Sequence, residues 1–221
     1  MSLLQEKLPI KRRSKGEQTR MQILNAAIEV LAQQGIKGAT HRAIALKADI
    51  QLSLTTYYFK DIQELVHQAF QLSSSQTLFR IENVWQIAFD LIESYDKTSL
   101  RKVTVKEELR DNLAELSTQH IYKKIVKQPI DIAVEQLLFT EVQISPTLRQ
   151  LANSHRQALL QPFIQWCKYF NKNTPQIDAD IMLTMFTQLE YRNLSVDKEF
   201  IDIDEIKAIT KRTIGLAMNL K

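Results

Sequence analysis

Three features of the 221-residue chain predict an all-α fold: a shortage of turn-forming residues, an ordinary globular apolar content, and hydrophobic spacing that stays helical from end to end. Only four glycines and five prolines occur, too few for the turns of a many-stranded sheet protein. Apolar residues make up 44% of the chain and charged residues 24%, enough to close a core without covalent staples. Cys167 is the single cysteine, which excludes an internal disulfide framework and a cysteine metal cluster. The apolar runs fall short of a membrane span. The start reaches Lys11-Arg12-Arg13 without the apolar stretch of a secretory signal, so the expected location is cytoplasmic.

Each element follows from local signals. Ser14 and Glu17 have the spacing of a capping box, and Ile23, Leu24, Ala27, Ile28 and Leu31 recur at helical spacing, giving a first helix over 15–34 that Gly35 stops. Thr40 caps a second, short helix that buries Ala43, Ile44 and Ala48. A turn at Asp49–Gln51 leads to a third over 52–58, and the pair has the dimensions of a helix-turn-helix. Asp61 and Glu64 open a fourth helix through Leu72, which supports this small module.

Further on, Phe79, Val84, Ile87, Ala88, Leu91 and Ile92 outline an amphipathic stretch interrupted near 97–99. One or two helices are expected over 101–126, with a break at Gln128-Pro129. Ser145-Pro146 reads as a cap followed by proline at the first helical position. That helix should extend towards Asn171 and bend or divide at Pro162. A helix over 177–194 carries Ile181, Met182, Met185, Phe186 and Leu189, and Asp202 with Glu205 opens the last one.

Charge is placed unevenly. Residues 1–60 hold ten Lys/Arg against four Asp/Glu, whereas residues 61–221 hold nineteen against twenty-one. A basic N-terminal quarter suits a polyanion, although Lys7, Lys11, Arg12, Arg13 and Lys15 supply half of it and would equally form a solvated tail.

The series Arg20, Ile23-Leu24, Ala26-Ala27, Gly35, Thr40, Ile44-Ala45, Ala48, Tyr57-Tyr58-Phe59 and Leu65 resembles the TetR family of bacterial transcriptional regulators over about residues 18–66. Asp49 stands where that family usually has a turn glycine, Thr56 where a tyrosine is more usual, and Ile62 where a lysine is usual, a loss for which Lys60 compensates. The resemblance implies a basic arm over 1–13, a helix-turn-helix DNA-binding domain over 14–61 and a helical ligand-binding and dimerisation domain over 62–221. For the third helix to read a major groove, Leu52, Ser53, Leu54 and Thr56 must face base edges, with Thr40, Arg42, Tyr57, Tyr58 and Lys60 at phosphates. Lys11, Arg12, Arg13 and Lys15 form the arm that would follow a backbone or minor groove.

By the same resemblance, the last two helices form the dimer surface, with Met182, Met185, Phe186, Leu189, Ile206, Ile209 and Thr213 as its candidates. The helices between enclose a pocket, whose candidates are Trp85, Phe89, His120, Tyr122, Leu138, Phe139, His155, Phe163, Trp166 and Phe170. Each of these residues also fits an ordinary core. The four histidines form no metal-ligand pattern, Gly35-Ile36-Lys37-Gly38 is no phosphate loop, and no nucleophile comes with a base. The expected protein is thus a dimeric, ligand-responsive repressor without cofactor or metal, rather than an enzyme. Its expected partners are a near-palindromic operator, a second copy of itself and a small apolar or amphipathic effector. The rival readings are an activator or ligand-independent regulator, and a helical small-molecule carrier or scaffold.

Overall fold

A computed structural model describes residues 15–141 and 145–220. Its regular elements are helices: α1 (Lys15–Gly38), α2 (His41–Lys47), α3 (Leu52–Tyr58), α4 (Ile62–Glu93), α5 (Val103–Lys127), α6 (Pro129–Thr140), α7 (Pro146–Cys167), α8 (Pro175–Arg192) and α9 (Ile203–Ala217), with 3-10 turns at Ser99–Arg101, Asn193–Ser195 and Lys198–Phe200. Ser14 and the arm residues Lys11, Arg12 and Arg13 lie outside the described residues. None of the helices is long and apolar enough to cross a membrane.

The chain divides into two compact units between Ala69 and Phe70. That point lies two turns inside α4, not ahead of it at residue 62. The buried Leu65, Val66 and Ala69 therefore go with the first unit.

In the first unit, α1 buries the stripe Ile23, Leu24, Ala27, Ile28 and Leu31, and α2 buries Ile44 and Ala45. Gly35 has φ 67°, a left-handed conformation that glycine adopts without a Cβ clash, and it interrupts α1 where the sequence places the stop. Thr40 Oγ1 accepts a hydrogen bond from the Ala43 amide at 3.1 Å, capping α2. The turn after α2 needs a left-handed residue as well, and Asp49 supplies it at φ 52°. Asp61 Oδ1 caps α4 by accepting from the Glu64 amide at 2.8 Å, while the Lys60 amide donates to Glu64 Oε2 at 2.8 Å. The box is thus closed one residue ahead of the cap.

Beyond the first unit the helices depart from the sequence expectation in α4 and α7. Helix α4 runs unbroken to Glu93 rather than ending near Leu72, because the intervening serines stay helical and Ser75 Oγ donates back to the Gln71 carbonyl at 2.9 Å. Helix α5 is a single helix, one of the two alternatives expected for that segment. Helix α7 ends at Cys167, short of Asn171, and Pro162 does not divide it, although its missing N–H leaves the Ala158 carbonyl without its usual partner. Ser145 precedes α7 without a side-chain cap, and its hydroxyl instead donates to Thr147 Oγ1 at 3.4 Å.

One core cluster joins Ile92, Leu109, Leu113, Phe163, Trp166, Met182 and Ile214, and another joins Ile121, Ile132, Leu189 and Ile206. Cys167 is sealed in the first, where burial pushes its thiol up to about 12 and makes it a poor nucleophile. Asp202 Oδ1 caps α9 by accepting from the Glu205 amide at 2.9 Å. Asp202→Ala should remove about 1 kcal/mol of stability, read as a lower denaturant midpoint; an unchanged midpoint would mean that the cap contributes nothing.

Candidate nucleic-acid interface and cavity

Helix α3 is seven residues long, below the length at which a helix holds itself in water, so its neighbours fix its shape and orientation. Thr55 is fully buried. Its hydroxyl donates to the Leu52 carbonyl at 2.8 Å and lies 3.1 Å from His41 Nδ1 of α2. A hydroxyl has one hydrogen, so His41 must donate from Nδ1. Phe59, at the end of α3, is also buried, beneath the Arg20 guanidinium 5.4 Å from its ring centre.

With Thr55 and Phe59 inward, the opposite face of α3 is decided. Leu52, Ser53, Thr56 and Tyr57 are exposed, Tyr57 at 80%, while Leu54 and Tyr58 are half-buried. Thr56 Oγ1 donates to the Ser53 carbonyl at 3.1 Å, which leaves its lone pairs and the Ser53 hydroxyl for an outside partner. Tyr57 and Tyr58 meet edge to face at 5.0 Å. Thr40, Arg42, Lys60 and Lys15 are exposed, and no ion pair links Arg42, Lys60 or Lys15 to another described residue. Lys47 differs, since Glu29 holds it at 2.7 Å. Leu46, which the sequence reading passed over, is 82% exposed on α2.

The second unit contains a cavity of about 100 Å³. Of the ten pocket candidates, Trp85, His120, Phe163 and Trp166 line it. Phe89 lines a separate open groove with Phe79, Ala158 and Pro162. Leu138 and His155 border a recess of about 10 Å³, Phe139 stacks on His155, Phe170 packs on Trp166, and Tyr122 belongs to the Ile121 cluster. These six are core or groove residues, not cavity walls.

Of the polar lining of the cavity the sequence reading named His120 alone. Ser117, His120 and Lys124 of α5 and Thr187 and Glu190 of α8 line it, together with Glu135 of α6. The i, i+3 spacing of Ser117 with His120 and of Thr187 with Glu190 puts each pair on one helix face. That spacing was legible, but only tertiary packing reveals that the two faces meet.

A buried charge network backs this wall. Lys124 Nζ lies 2.5 Å from Glu190 Oε2 and 3.9 Å from Glu135 Oε1. Glu135 Oε2 meets His155 Nε2 at 3.2 Å, and His155 Nδ1 meets Ser74 Oγ at 2.7 Å. Burial alone would raise Glu135, but Lys124 and the His155 hydrogen bond outweigh it and hold the carboxyl below its usual range. Glu190 goes the other way, raised by burial and by the charge of Glu135 against the pull of Lys124. Burial, aided by Lys124 and Lys123, drives His120 down to about 4 and leaves it neutral near pH 7. Serine, histidine and glutamate in series suggest a nucleophile relay, yet the recess beside them holds about 10 Å³, roughly one water. The series is a structural link between α4, α7 and α6. Among the described residues no His/Cys/Asp/Glu group is placed to hold a metal.

The dimer candidates divide. Met182, Leu189, Ile206 and Thr213 are buried in their own chain, and Met182 and Phe186 line the cavity, so these residues have little surface to offer a second copy. Ile209 is half-buried, and Met185 is 37% exposed. The apolar positions α8 does expose are Ile177, Ile181 and Met185, at i, i+4 and i+8. The apolar period was correct, but α8 is apolar on more than one face and period alone does not say which faces inward.

Thr55→Val should leave the His41 Nδ1–H unpaired and cost about 1–2 kcal/mol, whereas Thr56→Val, one residue on, should change stability by less than about 0.5 kcal/mol. Equal losses in denaturant titrations would show that α3 is not docked through Thr55. Lys124→Met should cost about 3–5 kcal/mol by leaving two buried carboxylates without their cation. A melting temperature that does not fall would contradict the network.

Residues 23–69 match the family described as bacterial regulatory proteins, tetR family. No curated protein matches the chain in sequence. Among solved structures, a transcriptional regulator from Rhodococcus sp. Rha1 is similar over 90% of this chain and 96% of its own, with TM-score 0.68 and 12% identity. A TetR-family transcriptional regulator from Mesorhizobium loti covers 94% of this chain and 98% of its own, with TM-score 0.65 and 12% identity. A transcriptional regulator from Saccharomonospora viridis, solved in complex with choline, covers 89% and 95%, with TM-score 0.58 and 17% identity. At these identities the likeness concerns the fold, an all-α chain with the same N-to-C arrangement. Residues 23–69 thus carry the likeness to the tetR family of bacterial regulatory proteins, and the helices beyond them share the fold of these solved regulators.

Proposed function

We propose that the chain is a dimeric DNA-binding repressor released from its operator by a small apolar or amphipathic effector. The observation that carries this reading is the outward face of α3, where Leu52, Ser53, Thr56 and Tyr57 are exposed on a helix locked by the buried Thr55 and Phe59. In a major groove the two hydroxyls exchange hydrogen bonds with base edges, and Leu52 and the Thr56 methyl meet thymine methyls. Thr40, Arg42, Tyr57, Tyr58 and Lys60 take phosphates, fixing register without reading sequence. The arm residues Lys11, Arg12, Arg13 and Lys15 add charge to the same side of the chain's sequence.

So short a reading helix contacts few base pairs, so useful specificity needs two copies on a two-fold symmetric site. The exposed stripe Ile177, Ile181 and Met185, with Leu216 of α9 at 52% exposure, is the apolar surface we assign to that pairing. The cavity takes the effector, a role supported by the choline complex of the Saccharomonospora viridis regulator. Helix α4 carries Leu65, Val66 and Ala69 in the first unit and Ile81, Val84, Trp85 and Ala88 at the cavity wall, which makes it the element that an effector can bias. An effector shifts the equilibrium only by binding the two forms unequally, and the usual coupling of ~1–3 kcal/mol changes operator affinity about 5- to 150-fold.

Selecting duplexes from a random library tests this directly. The expected product is a two-fold symmetric sequence bound by two chains, with affinity that falls steeply as salt rises. Recovery of no preferred sequence, or of one bound by a single chain, would overturn the reading. Reporter expression that rises with bound protein would replace repressor by activator.

A further inference from the structure

The cavity is lined by both aromatic and acidic side chains. Trp85, Phe163, Trp166 and Phe186 form the aromatic part, with Trp85 edge-on to Phe163 at 4.6 Å and Phe163 edge-on to Phe186 at 5.7 Å. Among the polar residues of the lining, Glu190 is 6% exposed. Its Oε2 takes Lys124, but among the described residues nothing donates to its Oε1. Glu190 itself is one of the residues that line the cavity. Ser117, His120 and Thr187 line the same wall, and their side chains make no hydrogen bond to another described residue. The wall is therefore a built polar site whose members await an outside partner.

Its charge specifies the partner. Lys124 is the one cation lining the cavity among the described residues, and it is shared between Glu190 and Glu135. An anionic ligand would find no free cation, since Lys124 is engaged and His120 is neutral. A neutral ligand leaves Glu190 to the proton that its raised carboxyl favours, and so gains no charged hydrogen bond from it. A ligand cation would take that proton's place, giving two ammonium groups for two carboxylates. The unmet groups at the wall can all accept hydrogen bonds, which favours a head group with N–H donors over a quaternary one. A volume of about 100 Å³ accommodates roughly seven to ten water-sized atoms.

We propose that the cavity selects a small lipophilic primary amine in its ammonium form, with the head on Glu190 Oε1 beside Ser117, His120 and Thr187 and the apolar body against Trp85, Phe163 and Phe186. This assignment rests on the reading of the cavity as the effector site and names the class of effector.

Three probes of one shape separate the possibilities: 2-phenylethylamine, 2-phenylethanol and phenylacetate, titrated into the full chain by calorimetry and by the fluorescence of Trp85 and Trp166. The amine should bind about 10- to 100-fold more tightly than the other two, the range expected for a charged hydrogen bond. Glu190→Gln should erase that preference and leave affinity for the alcohol unchanged. Equal or tighter binding of the alcohol or the carboxylate, binding of none of the three, or a preference that survives Glu190→Gln would each overturn the assignment. Should the variant not fold, the ranking of the probes on the unaltered protein decides alone. These titrations contain no DNA, so their failure is distinct from a failure of duplex selection, which would remove the regulatory reading itself.

Discussion

The docking of α3 is the constraint on which the reading face depends. A seven-residue helix has almost no stability of its own, so what it presents to solvent is decided by what holds it. Thr55 gives its one hydrogen to the Leu52 carbonyl and its lone pair to His41. Phe59 is clamped under Arg20, whose guanidinium also bonds Gln68 of α4. These contacts leave one rotation for the helix, and in that rotation Ser53, Thr56 and Tyr57 point away from the core. A free hydroxyl on a wobbling helix would lose its gain in ordering entropy; on a docked helix that cost is met during folding.

A similar economy of contacts operates in the second unit with the opposite emphasis. Burying Lys124, Glu135, Glu190 and His155 in one network gives little stability, because desolvation offsets most of the attraction. What the network does provide is a fixed polar wall with one carboxylate oxygen left over. An apolar cavity alone would accept any body of the right size. The unmet oxygen gives it a sign preference, and the aromatic lining gives it a shape.

The sequence was most legible where a local signal and a tertiary need coincide. Thr40, Asp61 and Asp202 are caps by composition and caps in fact, and Gly35 and Asp49 adopt the left-handed backbone that their positions suggested. The resemblance put Leu52, Ser53, Leu54 and Thr56 on the outer face of α3; Leu54 is half-buried, and the anchoring Thr55 was not singled out. Legibility fell where two readings shared one pattern. Met182 and Phe186 share an apolar helix with Ile181 and Met185, and periodicity does not say which stripe faces the cavity and which faces out. Tyr122, Phe139 and Phe170 were plausible ligand contacts as large aromatics, yet they pack elsewhere in the core. Glu135 and Glu190 read as two acids among many because the cation that draws them together lies on a third helix, a relation no spacing encodes.

The most direct check on the account is the structure of the chain bound to its preferred duplex. The account places α3 in the major groove with Ser53 and Thr56 oxygens within hydrogen-bond reach of base edges, Thr55 still bonded to His41, and a second copy related by a two-fold axis. A complex in which α3 lies clear of the groove, or in which bases are read by another element while α3 touches only phosphates, would contradict it.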